Sequence, residues 1–168
     1  IVACKYGHFD IARLLVEKGA DVTARENLAI IIAAARGCLS AMEWFAEKGS
    51  DVTARDNMAI RIAAQCGRLF VVKWLAENGA DVTSQNNAAI IAAKYGRIKV
   101  LKWLAENGAD VTARENLAII WASNNGYPNT TRLLVEKGAD VTAQENLAII
   151  RASTYGHLDV VRCLIENG

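Results

Sequence analysis

Two kinds of apolar run alternate along the chain. Leu28 to Arg36 is apolar on nearly every side, so the pattern predicts a short helix buried on more than one face. Leu39 to Lys48 differs: Leu39, Met42, Phe45 and Ala46 recur at i, i+3, i+6 and i+7 while Glu43 and Glu47 lie opposite, which predicts an amphipathic helix. Gly37 stops the first run and Gly49 the second, because a glycine at a helix exit takes the left-handed conformation at little cost. Ahead of the pair lies a short polar stretch, Asp21-Val22-Thr23-Ala24-Arg25-Glu26, read as extended and turning, with Asn27 as N-cap of the helix that follows.

The alternation returns with a fixed period. The segment Asp21 to Ile30 recurs nearly unchanged at 51–60, 81–90, 110–119 and 140–149, so the leading Asp steps by 30, 30, 29 and 30 residues. Glycines keep the same beat at Gly7, Gly37, Gly67, Gly96, Gly126 and Gly156, and again at Gly19, Gly49, Gly79, Gly108, Gly138 and Gly168. One helix pair of this size cannot bury both its faces, whereas periodic copies bury one another. The expectation is an all-α solenoid forming one repeat domain over residues 1–168, with a partial first unit at 1–20 and units at 21–50, 51–80, 81–109, 110–139 and 140–168.

Two units depart from the pattern. In 81–109 the first helix is one residue short, so that, aligned from Gly96, Asn87 stands where Leu28 sits and Ala89 where Ile30 sits. Losing one residue turns the remaining face by about 100°, and packing is expected to be poorest there. In 110–139 the second helix opens Tyr127-Pro128-Asn129-Thr130-Thr131. Proline is tolerated in a first turn, but the threonines replace an apolar pair such as Val71-Val72 or Val160-Val161, and a soft interface is expected.

The segments Gly7-His8-Phe9-Asp10-Ile11-Ala12-Arg13-Leu14-Leu15-Val16-Glu17-Lys18-Gly19-Ala20-Asp21-Val22 and Gly156-His157-Leu158-Asp159-Val160-Val161-Arg162-Cys163-Leu164-Ile165-Glu166-Asn167-Gly168 resemble the second helix and glycine-rich exits of the ankyrin repeat. The resemblance covers the whole chain and implies an ankyrin-repeat solenoid of stacked antiparallel helix pairs. That family's unit is 33 residues and usually opens its first helix with Thr-Pro-Leu-His; here Leu28-Ala29-Ile30-Ile31 takes that place and the unit is about 30. The missing residues fall where the family has the tip of its projecting hairpin, so shortened fingers are expected. This abbreviated unit is similar to the ankyrin arrays of giant amoebal DNA viruses. The family's Asn after Asp-Val, hydroxylated in some members, is threonine at Thr23, Thr53, Thr83, Thr112 and Thr142, so that modification does not carry over.

Charge and cysteine usage narrow the function classes. Nineteen Lys and Arg against eighteen Asp and Glu leave a net charge of +1, which supplies no bulk attraction to nucleic acid or anionic lipid. Cys4, Cys38, Cys66 and Cys163 fall at four different places in the repeat without metal-ligand spacing, which predicts reduced thiols in a cytoplasmic compartment, the host cytosol if the chain is viral. The longest apolar run, Leu28 to Ala35, is far short of the ~20 residues of a membrane helix. No signal-peptide pattern or initiator Met is present and the chain starts inside a helical pattern, which reads as a piece of a longer array.

Positions that stay fixed between copies read as serving the stack. Trp44, Trp74 and Trp103 share one place in the second helix and are expected to form a partly buried ladder. Arg13, Lys73, Lys102, Arg132 and Arg162 each stand four residues before a Glu, the spacing of paired charges on a solvated helix face. His8 and His157 lie five repeats apart, about 40–50 Å at roughly 8–10 Å per helix layer, too far to share a catalytic site. Cys38 and Cys66 could approach each other, but two thiols without a His base read as plain small residues. The glycines sit at helix exits and form no phosphate loop. No enzyme activity, metal or cofactor is expected.

The varying positions are the candidates for recognition. They are the two residues before each first-helix glycine, among them Lys94, Tyr95, Asn124, Asn125, Thr154 and Tyr155, and the residue five before it, Trp121 and Arg151 in two neighbouring units. By resemblance, first helices and turns line the concave groove with which ankyrin proteins grip partners, which adds the turn residues Arg25, Arg55, Gln85, Arg114 and Gln144. Tyr, Trp and Arg dominate interface energetics, so the partner-binding surface is placed at Lys94, Tyr95, Arg114, Trp121, Asn124, Asn125, Arg151, Thr154 and Tyr155. The function expected is a non-catalytic protein-interaction scaffold, with a structural spacer in a longer repeat protein as the alternative. Exposed apolar ends at Ile1-Val2 and Leu164-Ile165 predict either further repeats in the parent protein or end-to-end self-association.

Overall fold

A computed structural model describes residues 1–83 and 87–167. Among these, all regular structure is helical, and it falls into two compact units, Ile1–Asp81 and Val82–Gly168. The first unit contains α1 (Val2–Tyr6), α2 (Phe9–Glu17), α3 (Ala24–Arg36), α4 (Leu39–Glu47), α5 (Ala54–Gln65) and α6 (Leu69–Glu77). The second contains α7 (Asn87–Lys94), α8 (Ile98–Glu106), α9 (Ala113–Asn124), α10 (Pro128–Glu136), α11 (Ala143–Thr154) and α12 (Leu158–Ile165). Gln85 and Gly168, given roles above, lie outside the described residues.

Within each unit the packing runs in sequence order. In the first, α1 packs on α2 and α3, α3 on α4 and α5, and α5 on α6. In the second, α7 packs on α8 and α9, α9 on α10 and α11, and α11 on α12, with α10 also touching α8 and α12. Small residues let the first helices approach closely: Ala33, Ala34, Ala63, Ala64, Ala92, Ala93, Ala118 and Ala122 are all fully buried. Bulk comes from the second helices, where Phe45, Leu75, Leu104 and Leu134 are buried, each contributing about 1.5–3 kcal/mol of transfer free energy. Trp44, Trp74 and Trp103 are half-buried as expected. Of the two unusual helices, α7 buries Ala88, Ala89, Ile90, Ala92 and Ala93. In α10, Thr130 and Thr131 are buried, and the Thr131 hydroxyl donates to the Tyr127 carbonyl at 3.1 Å. On α9 the buried Ser123 hydroxyl has no partner among the described residues.

The turn is where sequence and structure differ most. Asp21 folds it by accepting, on one carboxylate oxygen, the Thr23 amide at 2.8 Å and the Thr23 hydroxyl at 2.7 Å. Asp51, Asp110 and Asp140 do the same with Thr53, Thr112 and Thr142. Three consecutive left-handed residues follow, Arg25, Glu26 and Asn27 in the first copy, before right-handed helix begins at Leu28. Asn27 is not the N-cap of its own helix. Its side-chain oxygen accepts the Asp51 amide of the next repeat at 2.9 Å, as Asn57 does for Asp81 and Asn116 for Asp140. The left-handed backbone aims the side chain away from the helix start and toward the neighbour. Left-handed conformation costs about 1–2 kcal/mol per ordinary residue, so the links it makes must offset that cost.

The Asx turns predict an acid sensitivity. The Thr hydroxyl, and after it the Thr amide, stabilise the ionised carboxylates of Asp21, Asp110 and Asp140 and hold them below their ordinary 3.8. A depressed folded value adds stability above the unfolded one and loses it as pH falls through the folded one. The urea midpoint should therefore drop between about pH 5 and about pH 2. Asp110→Asn with Asp140→Asn keeps an acceptor oxygen but cannot titrate, and should drop less over the same range. An unchanged drop would show that other carboxylates govern acid unfolding.

Candidate functional site

Most of the varying positions of the second unit lie toward the ends of its first helices, half-buried on α7 and α9 apart from the exposed Tyr95, and exposed on α11. Lys94, near the end of α7, lays its Nζ over the Trp121 ring of α9, 4.2 Å from the centroid, and lies 5.8 Å from the Tyr95 ring. The contact works because a cation is drawn to the negative face of an aromatic ring and the lysine stem covers apolar surface on the way. Trp121 is half-buried beneath it, and Tyr95 is 37% exposed. Asn124 and Asn125 are half-buried beside them; the Asn125 amide nitrogen donates to the Trp121 carbonyl at 2.8 Å.

On α11 the corresponding residues are open to solvent. Arg151 and Thr154 are exposed, and the Thr154 hydroxyl donates back to the Ile150 carbonyl at 2.8 Å. Tyr155 is 55% exposed and stacks on His157, ring centroids 6.3 Å apart. His157 donates through Nε2 to the Asn124 carbonyl at 3.1 Å, so Tyr155 is braced by a side chain anchored to the neighbouring repeat. Of the nine candidates, Lys94, Tyr95 and Trp121 form one touching cluster. Tyr155 joins Asn124 through His157, and Arg114 stands on an exposed left-handed turn.

Other turn candidates are engaged within the stack. Arg55 pairs with Glu26 at 2.7 Å and donates to the Arg25 carbonyl at 3.0 Å, and Gln144 donates to the Glu115 carbonyl at 3.1 Å. Each reaches back to a carbonyl that the left-handed turn of the preceding repeat presents. Nor do the spaced charges of the second helices pair as expected: among the described residues none of Arg13, Lys73, Lys102, Arg132 or Arg162 forms a direct ion pair with the Glu four residues on. Arg13 instead lies over the Trp44 ring at 5.4 Å, a contact across neighbouring repeats that helical spacing does not announce.

Two features escaped the sequence reading. At three first-helix glycines the residue that follows the next such glycine is a brace: the rings of Tyr127 and His157 cover Gly96 and Gly126, and Arg68 covers Gly37, whereas Gly7 is covered by Arg36 and not by Cys38. The available signal was a large, varied residue after five of the six first-helix glycines, Cys38 being the exception. Phe70 is 79% exposed on α6, at a place filled elsewhere by Asp10, Ser40, Lys99, Asn129 and Asp159.

The chemistry on offer is recognition by shape, charge and aromatic surface. Among the described residues no three His, Cys, Asp or Glu side chains gather as a metal site, and no helix is long and apolar enough to cross a membrane. All four cysteines are free thiols; burial pushes Cys4 and Cys163 up from the ordinary thiol value. No curated protein matches the chain. The family model described as "Ankyrin repeats (3 copies)" matches residues 1–56, 30–115 and 91–168, which together span all of it. Helix pairs packed in sequence order, each closed by glycines at fixed places, are what such a match requires of the coordinates, and the chain belongs to the ankyrin-repeat family.

Proposed function

We propose that the chain is a non-catalytic scaffold that holds a protein partner against the first-helix face of its second unit, at Lys94, Tyr95, Arg114, Trp121, Asn124, Asn125, Arg151, Thr154 and Tyr155. Ankyrin repeats generally mediate protein–protein interaction, and the family is typically non-catalytic. The observation that carries the assignment to this face is the Lys94–Trp121 contact at 4.2 Å flanked by exposed Tyr95 and Tyr155. Braced aromatics of this kind lose little side-chain entropy when a partner covers them, which is why such residues anchor interfaces. The four free thiols suit a reducing compartment such as the cytosol.

Replacing Tyr95, Trp121 and Tyr155 together with alanine should abolish capture of a partner from lysate while leaving the helical circular-dichroism signal intact. Hot-spot aromatics cost about 2 kcal/mol or more each when truncated, so the triple loss is expected to be complete. Unchanged capture would refute the assignment to this face.

A second reading, a structural spacer within a longer repeat protein, draws on exposed apolar side chains. Val2, Ile11, Leu14 and Leu15 are exposed in the first unit, and Ile150, Leu158 and Ile165 in the second. Leu164, expected among the exposed apolar residues, is buried at 3% exposure, and Ile1 is half-buried. These surfaces would accept another repeat or a second copy of the chain. A spacer should capture no specific partner at all.

A further inference from the structure

We infer that the partner segment held by this face is an acidic, extended polypeptide in which carboxylates are interspersed with apolar or aromatic side chains. This rests on the proposed binding face and adds the chemistry of what it takes.

The near-zero net charge hides a segregation. Within the five complete right-handed first helices, from Leu28, Met58, Asn87, Leu117 and Leu147 to the residue before the glycine, there are four cations and no carboxylate: Arg36, Arg61, Lys94 and Arg151. The acids lie on second helices and turns. In the second unit the two cations flank an uncharged right-handed segment: Lys94 on α7, then Trp121 in Leu117 to Asn125, then Arg151 at the position on α11 that Trp121 holds on α9. A net charge describes the whole surface, while a partner meets the local one.

The cations are poised differently. Lys94 is half-buried with one side of its ammonium against Trp121, so an apolar partner laid over it would strip the remaining water from a charge without replacing it. A carboxylate would replace it. Arg151 is exposed and has no side-chain partner among the described residues, leaving its planar fork for a bidentate carboxylate. Between them Trp121 and Tyr95 supply aromatic surface. The Asn125 side-chain oxygen, whose amide nitrogen is already bonded to Trp121, is placed to accept a partner amide.

Three neighbouring first helices at about 8–10 Å spacing cover about 20 Å, which an extended chain crosses in about six or seven residues. A single-stranded nucleic acid is the weaker fit. It brings a charge at every nucleotide, whereas the right-handed part of α9, from Leu117, has no cation to meet it, and on the exposed turns Glu115 and Glu145 outnumber Arg114. A peptide can place its carboxylates only where cations stand.

The test uses the full chain and three fluorescent probes of about ten residues: a peptide alternating Glu with Phe and Ser, the same peptide with Lys for Glu, and an oligothymidylate. Anisotropy should show binding of the acidic peptide, weakening as salt rises. Lys94→Glu and Arg151→Glu should each weaken it about tenfold, while Lys102→Glu on the second-helix face should leave it within about twofold. Equal binding of the basic peptide, equal or tighter binding of the oligonucleotide, or no binding of the acidic peptide would overturn the inference. If the acidic peptide fails yet the triple alanine variant still loses its partner from lysate, the face stands and only its proposed acidity falls. If that variant keeps its partner, the binding reading falls first.

Discussion

Gly126→Ala should lower stability by about 2–4 kcal/mol, the sum of a left-handed penalty of about 1–2 kcal/mol and an overpacking cost of similar size. At Gly126 φ is +71°, a region alanine occupies only with strain, and an added Cβ would lie 2.6 Å from His157 Nδ1 and 2.9 Å from its Cγ. The ring cannot swing clear without giving up the bond from Nε2 to the Asn124 carbonyl. Gly96 is the parallel case, with φ +64° and the Tyr127 ring 2.8 Å from where the Cβ would stand. Gly138 is the control: its φ is +90°, but nothing lies within 4 Å, so Gly138→Ala should suffer the backbone penalty alone. The expected drop in thermal midpoint is about 5–15 °C for Gly126→Ala, and clearly less for Gly138→Ala. Adding His157→Ala should recover the steric part in a double-mutant cycle. Equal losses at Gly126 and Gly138 would mean that the ring gives way freely and that the brace contributes nothing.

The same brace separates what sequence reasoning reaches from what it misses. The period, the helix pairs and the glycine exits follow from chemistry that is local to each copy: a 3.6-residue pattern, a residue type that tolerates positive φ, and repetition. Links between copies do not. Asn27 and the residue after it look like a helix start when one repeat is read alone, and nothing in the 21–30 stretch states that its carboxamide serves Asp51. Such a bond is fixed by three successive left-handed residues, which for Arg and Glu run against local preference and are held by the neighbouring turn. Arg55 and Gln144 escaped for the same reason, since a polar residue on a turn has the same letter whether it meets solvent or the carbonyl of the previous turn. The candidate site shows both sides. Its members were legible as variable positions, while the seating of Lys94 on Trp121, 27 positions further along, depends on how one helix is set beside the next.

Position in the stack also decides what one leucine is worth. Leu134 stands eight residues after Gly126 and is fully buried at 0% exposure, in a helix that touches α8, α9 and α12. Leu15 stands eight residues after Gly7, in the same place of its own repeat, yet is 50% exposed on α2, which packs chiefly on α1. Leu134→Ala should therefore cost about 2–5 kcal/mol, transfer and cavity together, while Leu15→Ala should cost under about 1 kcal/mol. Chemical denaturation followed by circular dichroism reads both, and hydrogen exchange should place the Leu134→Ala loss in the second unit. Equal costs would mean that this leucine is stabilised within its own helix pair. A large difference would mean that flanking repeats supply the burial, and in that case a partner or further repeat covering Leu15 should raise the cost of its truncation toward that of Leu134.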